Sequence, residues 1–282
     1  MPELPEVETI ARGVDERVRG DQIVEVWFSS KREPFKTSPR RQAAELDGRR
    51  FLGVRRVGKH IVCSLSAAGA SLGNREASVE DAQWIVHLGM TGRLLVTTPE
   101  AVVEPHTHAR LTLASGKEIR FVDPRRFGRL ELRVLKRSAA FEAPGAEPLA
   151  IGCEEFRKLF RGRKLAIKAA LIHQCLLSGV GNIYADESLF RAGIRPRRHA
   201  GRLSASELER LRLALVEVLQ AAISLGGSSV SDYVDANGVR GFFQLEHRVY
   251  QRTGEPCVVC GTPIQRIVVA GRSTHYCPRC QK

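Results

Sequence analysis

The chain has 282 residues, with 44 Lys and Arg against 31 Asp and Glu and a formal net charge of +13. That excess favours a polyanionic partner such as nucleic acid, without separating DNA, RNA, ribosome or anionic membrane, and the spread of arginine along the chain points to a folded basic groove rather than a disordered arm. No apolar run approaches the roughly 18 residues of a membrane span and no secretory signal is evident, so no transmembrane span is expected, disulfides are disfavoured, and two or three modest domains are expected.

The chain opens Met1-Pro2-Glu3-Leu4-Pro5-Glu6, which predicts a first helix: Pro5 suits the first turn, Glu3, Glu6 and Glu8 complement the positive end of the dipole, and Val7, Ile10, Ala11, Val14 and Val18 recur at helical spacing. The same residues carry a possible chemistry. Removal of Met1, expected when proline follows, leaves Pro2 with a free secondary amine, and α-amino groups titrate at about 7.7–8.0, so a useful fraction is neutral near pH 7. Attack by such an amine on a sugar C1′ gives an iminium, an electron sink for elimination, and Glu3 stands next to it as a proton donor or acceptor.

Beyond that helix, short apolar or alternating runs over 23–28, 51–57, 60–65, 84–88, 93–96, 109–114, 118–122 and 127–134 predict a strand-rich sandwich. The pattern changes around 142–148. Helices are predicted over 154–160, 167–177, 182–192 and 204–225, the last opening on a Ser204 and Glu207 capping box and closing at Gly226-Gly227. A polar, glycine-rich loop over 228–241 follows, and 67–82 reads as a polar surface loop. Cys257-Val-Val-Cys260 and Cys277-Pro-Arg-Cys280 have the spacing of a four-thiolate zinc site, with two strands of a hairpin expected at 264–269 and 273–276. Four protein thiolates leave no open position, so one structural zinc per chain is expected. Cys63, Cys153 and Cys175 are scattered singly, as semi-buried thiols would be.

PELPEVE at the start, HLGMTG at 87–92, DPRRFG at 123–128, GVGNIYADESLF at 179–190 and the terminal cysteine module occur in the order found in formamidopyrimidine-DNA glycosylases, and the chain resembles that family over nearly its whole length. The resemblance implies an α+β multidomain protein: an N-terminal helix with a β-sandwich (1–137), a helix-two-turns-helix domain with the lesion loop (138–244) and a zinc-finger β-hairpin (245–282). It implies a base-excision repair glycosylase and abasic-site lyase acting as a monomer on damaged double-stranded DNA in the bacterial cytoplasm, with no membrane partner.

By the same resemblance Pro2 is the Schiff-base nucleophile, Glu3 the acid, Lys59 the lysine of the elimination step and Arg272 the hairpin arginine that holds the phosphate beside the lesion. Asn182, Lys164 and His106 match DNA-contact positions. Met90, Arg125 and Phe127 match the trio that fills the gap left by an extruded nucleotide, Arg125 facing the orphaned cytosine. Taken without the family, Met90 and Phe127 would be placed in a core, Lys59 on a solvated strand end, Arg272 in an exposed turn and Asn182 at a helix cap. The rival readings are an endonuclease VIII-like relative acting on oxidised pyrimidines, against which the PELPE start counts, and a zinc-dependent DNA-binding protein without catalysis, which would have no use for an amine nucleophile.

Overall fold

The computed structural model describes residues 1–31, 33–69, 79–229 and 234–282. The parts of the loops predicted at 67–82 and 228–241 that fall on 70–78 and 230–233 lie outside the described residues. The chain packs into two compact units, one of Met1–Glu142 with Ser228–Gly241, the other of Ala143–Gly227 with Phe242–Lys282.

In the first unit, helix α1 (Leu4–Val18) buries the predicted stripe of Val7, Ile10, Ala11, Val14 and Val18 and carries Pro in its first turn. Eight strands follow: β1 (Ile23–Phe28), β2 (Phe51–Val57), β3 (His60–Leu65), β4 (Ala82–His87), β5 (Arg93–Thr97), β6 (Thr107–Leu113), β7 (Glu118–Val122) and β8 (Arg129–Val134). They form two four-stranded antiparallel sheets, ordered β1-β6-β7-β5 and β2-β3-β4-β8. Alternation decides the faces. Ile61, Cys63 and Leu65 of β3, Ala82, Trp84 and Val86 of β4, and Leu130 and Leu132 of β8 join Ile119 and Phe121 of β7 and the apolar face of α1 in one core.

A short helix, α2 (Pro39–Leu46), was not anticipated from the sequence because it buries only Gln42 and Leu46 and so shows no apolar stripe. Its start is marked, with Ser38 capping and Pro39 in the first turn. Gln42 anchors it: the amide nitrogen donates to Thr37 O at 2.7 Å and the amide oxygen accepts from Trp84 Nε1 at 3.1 Å.

The second unit holds α3 (Cys153–Phe160), α4 (Ile167–Leu171), α5 (Asn182–Arg191), α6 (Ala205–Ser224) and a hairpin of β9 (Gln265–Val269) and β10 (Arg272–Tyr276). Helix α6 carries the expected capping box between Ser204 and Glu207. Helix α4 stops at Leu171 instead of running to 177. The Gln174 side chain ends it by stabilising a tight reversal: its amide donates to Ile172 O and Val180 O, both at 2.8 Å, and accepts from Gly179 N–H at 3.0 Å. Leu176 and Leu177 stay buried, which is why apolar periodicity overran the helix. Among the described residues, no helix is long and apolar enough to cross a membrane.

Candidate functional site

Pro2 is buried and Glu3, only 5 % exposed, is the N-cap of α1. Glu6 organises this terminus: Oε2 accepts Glu3 N–H at 2.8 Å, one half of a capping box, and Oε1 accepts Ser228 N–H at 2.8 Å. One carboxylate thus ties the peptide next to Pro2 to the start of the 228–241 segment. The Glu3 carboxyl sits at the positive end of a helix, where its own side chain receives the backbone N–H of Glu6.

Lys59 lies in the tight connection between β2 and β3, after Gly58 in the left-handed region (φ 60°), and is buried rather than solvated as a bare reading of a strand-end lysine expects. The next residue, His60, packs on His87 of β4 with ring centroids 4.8 Å apart and on Phe141 at 4.6 Å. Burial pushes the pKa of both imidazoles down to about 4; for His60 the neighbouring His87 adds to this, and for His87 the Lys59 ammonium does. Both rings are therefore neutral near pH 7. His87 Nδ1 accepts Gly89 N–H at 3.2 Å, so the neutral ring shapes the loop that carries Met90.

Met90 and Phe127 are 39 % and 49 % exposed, and Arg125 is exposed. The core position that local chemistry assigns to Met90 and Phe127 is thus incorrect: β8 begins at Arg129, leaving Phe127 in the preceding loop, and both side chains are among the exposed large hydrophobic residues. The Arg125 guanidinium lies 4.9 Å from the Phe127 ring centroid. The two loops meet backbone to backbone. A Cβ on Gly89 would fall 2.5 Å from Gly128 N and from Phe127 C, and one on Gly128 would fall 2.5 Å from the Phe121 ring, so both positions require glycine.

Asp123, fully buried, fastens this arrangement. Oδ1 accepts Thr91 Oγ1–H at 2.7 Å and Arg125 N–H at 3.3 Å, and Oδ2 accepts Gly128 N–H at 2.7 Å. Its backbone N–H donates to His106 O at 3.0 Å, bringing the exposed His106 (φ 66°) into the same cluster of loops. Asp123 was not singled out from the sequence, although an acid directly before Pro-Arg-Arg is a turn-forming signal.

In the second unit, Asn182 is the first residue of α5, and its Nδ2 donates to Ser273 O at 2.9 Å. The same carbonyl accepts Lys168 Nζ at 2.9 Å. Lys168 also reaches Thr274 Oγ1 at 2.8 Å and pairs with Asp186 Oδ1 at 2.6 Å, both ions fully buried. Asp186 Oδ2 accepts the His275 backbone N–H at 2.9 Å and faces its ring Nδ1 at 3.2 Å. Glu187 accepts the backbone N–H groups of Arg248, Val249 and Tyr250 at 3.0, 3.0 and 2.9 Å, while burial raises its pKa against their effect. These charges hold β10 against α4 and α5, and Arg272, its exposed first residue, is carried on that fixed strand. Lys168, Asp186 and Glu187 were missed as organising groups; two adjacent acids inside the otherwise apolar run of α5 were their trace in the sequence. Lys164 is exposed in the loop between α3 and α4.

The sulfur atoms of Cys257, Cys260, Cys277 and Cys280 all lie within 4.8 Å of one another, with Cys257–Cys280 at 3.8 Å and Cys260–Cys277 at 3.5 Å. Tetrahedral zinc with Zn–S bonds of about 2.3 Å has S···S edges of about 3.8 Å, so the thiols fit one ion. Backbone N–H groups of Val259 and Cys280 point at Cys257 and Cys277 sulfurs at 3.5 and 3.4 Å, the knuckle geometry that stabilises thiolates.

Family models match three stretches: "Formamidopyrimidine-DNA glycosylase N-terminal domain" at residues 1–130, "Formamidopyrimidine-DNA glycosylase H2TH domain" at 143–234 and "Zinc finger found in FPG and IleRS" at 254–282. The chain is 45% identical to the formamidopyrimidine-DNA glycosylase of Solibacter usitatus over 284 residues and 42% identical to that of Desulfitobacterium hafniense over 288, covering all of each chain. It superposes on a Lactococcus lactis FPG mutant bound to Fapy-dG containing DNA with a TM-score of 0.86 at 34% identity, and on MutM bound to carbocyclic 8-oxo-G containing DNA with a TM-score of 0.85 at 34% identity, each over 100% of both chains. With likeness running from end to end, and with the cysteine cluster holding a single structural zinc, this chain belongs to the formamidopyrimidine-DNA glycosylase family of base-excision repair enzymes.

Proposed function

We propose that the enzyme removes oxidised purines, 8-oxoguanine and formamidopyrimidines, from duplex DNA and then cuts the abasic site by β,δ-elimination, acting as a monomer in the bacterial cytoplasm. The observation that carries this reading is the buried Pro2 and Glu3 pair directly ahead of the first turn of α1, fastened by Glu6. Once Met1 is removed, the Pro2 nitrogen attacks C1′ and the glycosidic bond electrons leave with the base. Glu3 protonates the ring oxygen as the sugar opens, and the iminium forms between Pro2 and C1′. Loss of a proton from C2′ expels the 3′ phosphate, and loss of a second proton from C4′ expels the 5′ phosphate. Lys59 assists elimination, and Arg272, Asn182, Lys164 and His106 hold phosphates. The zinc fixes the Arg272 hairpin and enters no bond change.

Borohydride trapping tests the reading. An 8-oxoguanine duplex paired with cytosine should yield one covalent protein–DNA adduct, and thymine glycol DNA far less. Preferential trapping on thymine glycol would support the pyrimidine-lesion alternative, and DNA binding without any adduct would indicate a non-catalytic binder.

C1′ of a stacked nucleotide is inaccessible, so the lesion must leave the helix at a cost of a few kcal/mol. The exposed Met90, Arg125 and Phe127 support a role as the side chains that fill the vacated space. Met90→Ala and Phe127→Ala should therefore change stability by less than about 0.5 kcal/mol, as exposed substitutions do, yet weaken lesion-duplex binding roughly tenfold. Arg125→Ala should in addition reduce discrimination for cytosine opposite the lesion. Melts beside titrations on each opposite base decide this; destabilisation by about 2–5 kcal/mol with unchanged base preference would return these residues to a packing role.

A further inference from the structure

The strongest unassigned charge density lies on two loops of the second unit. Residues 161–165 read Arg-Gly-Arg-Lys-Leu and residues 195–202 read Arg-Pro-Arg-Arg-His-Ala-Gly-Arg, together seven Lys or Arg and no acid. They are neighbours through the backbone. Ile167 N–H donates to Arg198 O at 2.7 Å, Ala200 N–H to Leu165 O at 2.9 Å and Gly201 N–H to Arg163 O at 2.9 Å, with a bridge between Ala166 and His199. Close approach depends on Gly201, where a Cβ would lie 2.8 Å from Arg163 N.

Three of the cations are used inside the protein. Arg198 pairs with Glu207, Arg195 donates to Gln281 O and Pro278 O, and Arg163 donates to Leu159 O. Arg161, Lys164, Arg197 and Arg202 are exposed, with no acidic partner among the described residues. An ordinary solvated surface mixes both signs, because uncompensated like charges repel. Here the fold presses two acid-free loops together and leaves four cations unneutralised.

We infer that Arg161, Arg197 and Arg202 extend the surface around Lys164 into a track for backbone phosphates of duplex DNA flanking the lesion. The inference rests on the proposed DNA-repair reading, through the DNA-contact role given to Lys164. The partner chemistry is a regularly spaced polyanion, since the groups are point and fork donors on two hydrogen-bonded loops that carry no Phe, Tyr or Trp for base stacking. The track supplies affinity without sequence or lesion preference.

Salt dependence reads this directly. Each phosphate contact contributes about 0.9 to the slope of log affinity against log salt on duplex DNA. On an undamaged duplex of about 30 base pairs, Arg161→Ser/Arg197→Ser/Arg202→Ser should lower the slope magnitude by about 2.7, and each single variant by about 0.9. Borohydride adduct formation on lesion DNA at saturating protein and low salt should be unchanged. A slope equal to wild type in the triple variant, or in all three single variants, would overturn the inference, as would lost binding to anionic vesicles with duplex binding intact. Because the slope is measured on undamaged DNA, a wild-type protein that never traps would count against the glycosylase-lyase reading while leaving this result standing.

Discussion

A Glu3→Gln enzyme should fail to release 8-oxoguanine while still cutting a preformed abasic site. Positioned acid catalysis is worth about 10²–10⁴-fold, and ring protonation is needed only while the sugar is closed, since an abasic site already offers an aldehyde to Pro2. The substitution keeps the side chain's size and a carbonyl oxygen able to accept the Glu6 N–H, so α1 should lose at most about 1 kcal/mol of capping. Replacing the nucleophile should be broader in effect. Pro2→Gly should reduce both base release and trapping by at least about 100-fold, because a primary amine gives an imine that loses its proton and with it the permanent positive charge. Single-turnover excision beside abasic-site cleavage measures both effects. Equal loss of the two activities in Glu3→Gln would assign Glu3 another role, and undiminished excision in Pro2→Gly would remove the amine from the mechanism.

Removing the zinc, by chelation or by Cys277→Ser, should abolish tight DNA binding while leaving the sandwich folded. The zinc module has a small core, Phe190, Val249, Cys257, Ile264 and Cys277, in which two of the five residues are metal ligands. Without the ion that cluster cannot bury enough apolar surface to hold the hairpin. Strand β10 would then lose its registry with Lys168, Asp186 and Asn182, which grip it at Ser273, Thr274 and His275, and Arg272 would lose its mount. The sandwich core shares no residue with this cluster. Metal analysis, circular dichroism and duplex titration should together show one zinc lost, most strand signal kept and affinity reduced by roughly 100-fold or more, the scale expected when several charge-assisted contacts go at once. Full affinity in the metal-free protein would refute the role of the hairpin.

Much of this was legible in the residues. The zinc ligand set follows from the paired Cys-x-x-Cys spacing, because four thiolates at those separations satisfy one tetrahedral ion whatever surrounds them. Helix α1, the sandwich strands and the capping box of α6 follow from apolar periodicity and local hydrogen bonding, which act over a few residues and need no distant partner. What only the tertiary structure decided is where an apolar or charged side chain ends up once remote segments close over it or leave it bare. Met90 and Phe127 have the composition of core residues, yet the backbone crossing at Gly89 and Gly128 leaves them in solvent. Lys168 and Asp186 look like surface charges, yet β10, about a hundred residues further along, covers them and makes the pair a fastening for the hairpin. Burial and long-range pairing are properties of the surface that arrives from elsewhere in the chain, and no local pattern specifies that surface.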